Sequence, residues 1–438
     1  MTRDIFWAAT KLDPLDCYPN ASYPPMWDNV ELSLRKSKSR NAKYFPRCLR
    51  FLAFITTAVK SSLSFFHVPL ECHADHVFYG LTHNQRTSLQ PVLDVMNDRD
   101  SGSSALFSSG DIKPLINKAS VWAIPFFLPL VIRAFRETDY RKKSFRWALD
   151  DYWRAYGLYI VFRRWFRKNR PQSVIVSNDH SLVPCVINKA AQDEGIPTFY
   201  IQHACVTEKF PPLRMDFALL EGLDAKEKYS AVSDGKTETH LIGIPKFDAF
   251  SKRINTSTKC KSVGICFSLA DDLDRSLELL NGMSEVDDIR FIVRPHMGMS
   301  SEAKQTFAAA CTKFNFDYST HESEQSFDFL DRIDVLISGT SAIALEAVML
   351  NVTSLNYVLN LDISDWYGFI ENGLTQSTDN IDKLKMTIED LKTNRPEVRG
   401  LAERYCATIS TAYAGRSSEL AAEKIISLSQ TQKRSAQE

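Results

Sequence analysis

Residues 332–358 read RIDVLISGTSAIALEAVMLNVTSLNYV. Val335 to Ile337 form a short apolar run of the kind that becomes a strand buried on both faces. Four small or hydroxyl residues follow as a turn: Ser338, Gly339, Thr340 and Ser341. A helical stretch over 342–350 and a second strand over 354–358 complete a βαβ unit. The helix begins among hydroxyls and unpaired backbone N–H groups, and its dipole favours negative charge at that end. Glu346 lies early in the helix. The stretch predicts an α/β fold and an anion held at the turn.

Outward from this unit, 438 residues exceed one ordinary core, so two domains of about 200 residues each are expected. Hydrophobic residues make up 44% and charged residues 24%, the balance of a globular chain rather than a disordered one. Lys+Arg and Asp+Glu both number 53, so the formal charge is zero and a basic nucleic-acid-binding surface is not indicated. Nine cysteines lack CxxC spacing and no secretory signal opens the chain, which predicts reduced thiols and a cytoplasmic protein. No apolar run reaches the roughly 20 residues that span a bilayer. Those nearest to it are 51–59 and 122–132, the second broken by Pro125 and Pro129. Contact with a membrane surface is open; a crossing is not expected.

Residues 1–70 read as an irregular extension with a basic stretch over 35–50 and a candidate amphipathic helix over 51–66. Strands are expected at 76–81, 105–110, 173–179, 198–204, 217–222 and 240–245, with helices between them. The stretch 142–170 is helical and dense in aromatics and arginine. Its aromatics at helical spacing read as core with cations snorkelling outward, and the competing reading is a surface for anionic lipid. A polar linker over 251–261 separates a first domain, 71–250, from a second, 262–395, with strands at 262–268, 289–296, 316–320 and 335–337. A C-terminal helix over 396–428 and a frayed tail over 429–438 close the chain. Two such series predict two doubly wound, Rossmann-like domains facing an interdomain cleft. No GxGxxG follows a strand, so a dinucleotide site is not supported.

Chemistry-bearing residues cluster at the predicted carboxyl ends of strands, where open α/β sheets bind ligands. Asn178-Asp179-His180 and Gln202-His203 end strands of the first half, and GIPKFD (243–248) ends its last. Ser268, then Arg294-Pro295-His296, then the turn at 338–341 end strands of the second half. Each has a bland alternative. His203 reads as an active-site group or a hydrogen-bonded core histidine. Arg294 and His296 suit a phosphate or form a surface turn. Asp179 is a helix cap first and a catalytic group second. Glu346 faces solvent or a ligand. His83, after the first strand, contacts an acceptor or caps the following helix. Cys72, His73, Asp75 and His76 are dense but lack the spacing of a structural zinc site.

The order Gln202-His203, GIPKFD, Arg294-Pro295-His296 and SGTSAIALEA (338–347) resembles bacterial GT-B glycosyltransferases of capsule, lipopolysaccharide and teichoic acid synthesis. It is most similar to CDP-glycerol glycerophosphotransferases and to capsule transferases using CMP-linked Kdo or sialic acid, over about residues 173–357. His203 is followed by Ala204 where the glycerophosphotransferases usually have Gly, and His296 by Met297 rather than Pro. The resemblance implies a GT-B fold and a transferase whose co-substrate is a nucleotide sugar, CMP-linked first and UDP-linked second. It implies a saccharide or lipid-linked acceptor and a metal-independent reaction without a cofactor; the inner face of the cytoplasmic membrane stays open as a place of work. His203 would be the base or donor-positioning group, with Asp179 second. Ser268, Arg294, His296, Ser338, Gly339, Thr340, Ser341 and Glu346 would bind the donor, and His83 and Lys246 the acceptor. The same cleft could serve a CDP-polyol phosphotransferase or a nucleotide-sugar epimerase.

Overall fold

The structure, a computed structural model, describes residues 3–26, 73–99, 102–361 and 365–435, with isolated helical positions at 52, 55, 56, 59 and 60. Two all-parallel six-stranded sheets organise it. The first contains β1 (His76–Tyr79), β2 (Ser104–Phe107), β3 (Ser173–Val176), β4 (Thr198–Ile201), β5 (Phe217–Leu220) and β6 (Glu238–Leu241), in the order β2-β1-β3-β4-β5-β6. The second contains β7 (Ser262–Cys266), β8 (Arg290–Arg294), β9 (Asp317–Tyr318), β10 (Val335–Ser338), β11 (Thr353–Tyr357) and β12 (Gln376–Thr378), in the order β12-β11-β10-β7-β8-β9. Each order reverses once, between β1 and β3 and between β7 and β10. These reversals are the topological switch points at which such sheets bind ligands.

The inner strands are apolar runs because helices cover both faces. Every residue of β1, β3, β4 and β10 is buried. The short margin strand β12 is Gln-Ser-Thr and pairs with β11 from Leu355 to Tyr357. Its polarity is why no apolar run announces it in the sequence.

The N-terminal region differs from the irregular extension expected. Helices Arg3–Thr10 and Pro19–Ser22 place Ile5, Ala9, Leu12, Leu15 and Ala21 in the first core. The basic stretch 35–50, and all but isolated positions of 51–66, lie outside the described residues. The aromatic-basic stretch forms a helix, Asp139–Asn169, and its aromatics are core: Phe145, Tyr152, Tyr159 and Phe166 are at most 2% exposed. Arg167 Nε lies 2.7 Å from Glu194, which also pairs with Arg163.

Before it, the apolar run 122–132 proves to be part of a longer helical series: Lys113–Ala123, a 3-10 turn Ile124–Phe126, and Phe127–Arg136. Taken together, Lys113–Arg136 is long and apolar enough by length and composition to cross a membrane, which corrects the expectation of no such stretch. One side of it nevertheless packs on the long helix, where Trp153 Nε1 donates to Ala123 O at 2.6 Å.

The closing helix also differs. Pro396, Gly400 and Gly415 interrupt 396–416, and the helix runs instead from Ser417 to Ser435, into the stretch expected to fray. Its Ala421, Ala422 and Ile425 pack with Phe78, Leu89, Ile175 and Ile201, so the chain ends on the first half's core.

Candidate active site

Beyond β3, Asn178 Oδ1 accepts from the backbone N–H groups of His180 (3.2 Å) and Ser181 (2.7 Å), capping the approach to helix Leu182–Gln192. Asn178 thus shapes the turn before the helix, whose N-cap Ser181 makes no side-chain cap bond, and Asp179 does not cap it as expected. Asp179 is 3% exposed; its Oδ1 lies 2.7 Å from His180 Nδ1, and Tyr229 donates its hydroxyl to Oδ2 at 2.8 Å. Burial pushes this carboxyl up, but His180 and the Tyr229 hydroxyl outweigh it and hold it below the usual range.

Beyond β4, buried Gln202 donates to Glu221 Oε2 (3.1 Å) and accepts from the Glu221 N–H (2.9 Å), tying the ends of β4 and β5 together. His203 is half-buried, and its Nδ1 is buried with no hydrogen-bond partner. Burial pushes its pKa down to about 4 against the pull of Asp179, with His180 and Lys246 adding to the fall. His203 is thus neutral at pH 7, the state in which an imidazole can take a proton.

Beyond β6, GIPKFD joins the halves. Gly243 has φ +74, and a Cβ there would stand 2.1 Å from Thr408 Oγ1, so only glycine fits. Asp248 accepts from the N–H groups of Ser417 (2.9 Å) and Ser418 (2.7 Å), capping the closing helix. Lys246 Nζ reaches across to Glu346 Oε1 at 3.0 Å. Lys246, expected at the acceptor, and Glu346, expected at the donor, are thus partners of each other. Glu221, 3% exposed, is the second carboxyl of this cluster. One ammonium cannot neutralise two carboxylates. Lys246 is bonded to Glu346, so Glu221 takes up the proton. Burial raises its pKa to about 7 against the pull of Lys246, with Glu346 adding to the rise.

At the second switch point, Ser338 is buried and registers with Cys266 of β7. Ser338, Gly339, Thr340 and Ser341 line a small cavity with Asn356, Asp365 and Tyr367. The following helix, Ile343–Met349, is shorter than the 342–350 expected and has no side-chain cap. Its dipole is correspondingly small, and the turn's own hydroxyls and N–H groups are the main donors. Ser268 acts through a residue the sequence reading passed over: its N–H (2.6 Å) and hydroxyl (2.8 Å) both donate to Asp271. Asp271 stands so close to Gly339 that a Cβ there would meet its Oδ1 at 2.6 Å. Burial raises the Asp271 pKa. Neighbouring Asp272 caps helix Leu273–Met283, and one visible cap hides the second acid beside it.

Arg294 is 7% exposed and holds its own half: Nη1 donates to Ser319 Oγ (2.6 Å) and Thr320 O (3.1 Å), Nη2 to Glu324 O (3.0 Å). His296 is exposed beyond β8, its Nδ1 accepting from the Gly298 N–H at 3.0 Å. His83 is the exposed first residue of helix His83–Asp98, and the cap is Thr82 with Gln85 in a capping box. His76 bonds Ser173 (2.7 Å) and Asp75 accepts from Gln172 (2.7 Å), so both hold strands. Among the described residues no group of three or more His, Cys, Asp or Glu converges as a metal site would.

The structure therefore gathers Asp179, His203, Lys246, Glu346, the turn and, through Asp271, Ser268. It leaves Arg294 in its own domain and His83 and His296 exposed at strand ends. A cavity of about 740 Å³ opens beside the turn and shares Asp365 and Tyr367 with it. Lys209 and Lys228 from the first half and Trp366, Glu371 and Arg404 from the second line it. Lys228 Nζ fastens its wall, donating to Tyr367 O at 2.8 Å and Asp224 at 2.7 Å.

No protein-family profile matches the chain, and no curated protein sequence matches it. Solved structures do. The UDP-GlcNAc 2-epimerase from Neisseria meningitidis bound to UDP-GlcNAc superposes with a TM-score of 0.53 at 14% identity, over 80% of this chain and 99% of that one. A UDP-N-acetylglucosamine 2-epimerase structure from Listeria monocytogenes gives 0.52 at 12%, over 80% and 95%. The wall teichoic acid polymerase TagF gives 0.49 at 11%, over 87% and 98%. At these identities the likeness is one of fold: two Rossmann-like domains in the GT-B arrangement, as expected from the sequence.

Proposed function

We propose that the protein is a metal-independent glycosyltransferase that moves a sugar from a nucleotide donor, CMP-linked first and UDP-linked second, to a saccharide or lipid-linked acceptor in surface-polysaccharide synthesis. The observation that carries this reading is the Lys246–Glu346 contact at 3.0 Å. It ties the His203 side of the first half to the helix that starts at the 338–341 turn, so a neutral imidazole and a set of anion-binding donors share one cleft. In this reading His203 takes the proton from the acceptor hydroxyl as its oxygen bonds to the anomeric carbon. The anomeric C–O bond breaks, and the nucleotide phosphate departs with that electron pair. The hydroxyls and N–H groups of Ser338, Thr340 and Ser341 receive the developing charge, where preorganised donors lower the barrier most. Asp179, held by His180 and Tyr229, favours the protonated form of His203 as it takes that proton. The 740 Å³ cavity offers the acceptor room of the size small-molecule sites use. The reaction belongs in the cytoplasm.

The test is a thermal-shift screen with CMP, CDP, UDP and GDP, followed by product analysis with the stabilising nucleotide's sugar. A glycosidic product supports the reading, a phosphodiester points to a CDP-polyol phosphotransferase, and no shift with any nucleotide overturns all of them. A nucleotide-sugar epimerase is a second reading, favoured by the superpositions above a TM-score of 0.5. Turnover of the donor alone to its epimer would select it.

A further inference from the structure

We infer that the surface around helix Phe127–Arg136 is a docking face for an anionic phospholipid bilayer, lying in the interface rather than crossing it. The face is built from four large apolar side chains that the fold leaves in water. Ile124 is 51% exposed, Leu128 65%, Ile132 43% and Phe135 83%. They recur at intervals of four, four and three, which sets them in one stripe of the helical series. Pro125 and Pro129 on the same stretch are exposed as well. An amphipathic helix of a globular protein turns its apolar stripe inward. Here the inward side is already filled: Phe126 and Leu130 are in the core, and Phe126 stacks on Tyr156 at 4.7 Å. The outward stripe is therefore a second apolar side, and scattered single exposures do not produce such a row.

The rim supplies the charge that selects the occupant. Arg136, Arg141, Lys142 and Lys143 are all exposed immediately beyond the apolar row. The acidic residues nearby are Glu137 and Asp139, and Glu137 is engaged by Arg133 at 3.1 Å and more loosely by Arg141 at 3.9 Å. Asp13, from the N-terminal segment, is held by the same Arg133 at 3.0 Å. Apolar side chains flanked by basic ones match the boundary between acyl chains and anionic headgroups. The neighbouring helix Arg3–Thr10, docked through Phe6 on Phe126 at 5.0 Å, carries Trp7, 61% exposed with Lys11 over its ring. Such amphipathic rings favour the same boundary.

The face lies on rather than across the bilayer for two reasons. The 3-10 turn at Ile124–Phe126 breaks the series into two helices, and the inner side of both is packed into the first core. A crossing would have to tear that packing open. The inference does not depend on the proposed chemistry, only on the surface.

Sedimentation of the full-length protein with large vesicles tests it. Vesicles of phosphatidylcholine with about one-third phosphatidylglycerol are compared with pure phosphatidylcholine, at low and high salt. Wild type is expected to pellet with the anionic vesicles and to be released by salt. Leu128→Asp with Phe135→Glu is expected to lower the partition coefficient at least about tenfold. Arg136→Ser with Lys142→Ser and Lys143→Ser is expected to abolish the preference for anionic lipid, by about fivefold per cation. All these positions are exposed, and unchanged circular dichroism and melting temperature confirm the variants are folded. Nucleotide-induced thermal shifts should persist in them, which separates loss of docking from failure of the proposed active site. The inference is overturned if wild type ignores both vesicles, if both variants bind like wild type, or if the apolar variant instead dissolves a dimer of this chain.

Discussion

Glu221→Gln isolates the buried charge cluster that links the halves. In the folded protein Glu221 titrates at about 7 against an ordinary 4.5, because burial disfavours its charge more than Lys246 restores it. A carboxyl whose folded pKa is raised binds more protons folded than unfolded between those values. Its contribution is fully present below pH 4.5 and is lost as pH rises to about 7. A difference of about 2.5 pH units at 1.36 kcal/mol each gives about 3 kcal/mol. Glutamine keeps an oxygen to accept from Gln202 and cannot ionise. The stability difference between Glu221→Gln and wild type should therefore shift by about 3 kcal/mol in favour of the variant between pH 4 and pH 8, with nearly all of the change complete by pH 7.5. Urea unfolding at half-unit pH steps measures it. A difference constant to within about 1 kcal/mol across that range would refute the assignment of the proton to Glu221, and with it the view of Lys246 as the exclusive partner of Glu346.

Three further outcomes are expected. His203→Ala should reduce kcat about 10²–10⁴-fold while leaving the nucleotide thermal shift in place, and the acid limb that His203 sets in the wild-type pH profile should fall near pH 4 rather than 6.5. Asp271→Asn should tighten binding of the stabilising nucleotide, because it removes an acid that stands against Gly339 of the turn, and calorimetry on both proteins at one pH checks it. Asp248→Ala removes the acceptor of two N–H groups at the closing helix and should cost about 1–2 kcal/mol in urea unfolding with the donor affinity unchanged.

Much of this protein is written locally. The buried strands are continuous apolar runs because parallel sheets are covered on both faces, so β1, β3, β4, β7, β8 and β10 can be read directly, and the turn at 338–341 follows from its small hydroxyl residues. Polar margin strands such as β12 escape because nothing in three polar residues distinguishes a strand from a loop. The helices at Lys113–Ala123 and Phe127–Arg136 escape because three prolines and a 3-10 turn interrupt their period. The site was legible by position but less so by role. Strand ends locate Asp179, His203 and Lys246, and the helix after the turn locates Glu346, whereas partners separated by 100 residues, such as Lys246 and Glu346, have no sequence signal. Arg294 shows the converse: its spacing suits a phosphate, but its donors meet the carbonyls of a loop that only folding brings beneath it.

The sequence by itself determined two doubly wound domains and a turn of small and hydroxyl residues at the end of a buried strand, because hydrophobic period and turn chemistry act within a few residues. Tertiary structure decided which charges neutralise which, that Asp271 rather than Ser268 faces Gly339, that the final helix returns to the first domain, and that Leu128 and Phe135 stay in water. Those outcomes depend on distances between segments far apart in the chain, and desolvation and Coulomb energy are set by such distances rather than by neighbours in sequence.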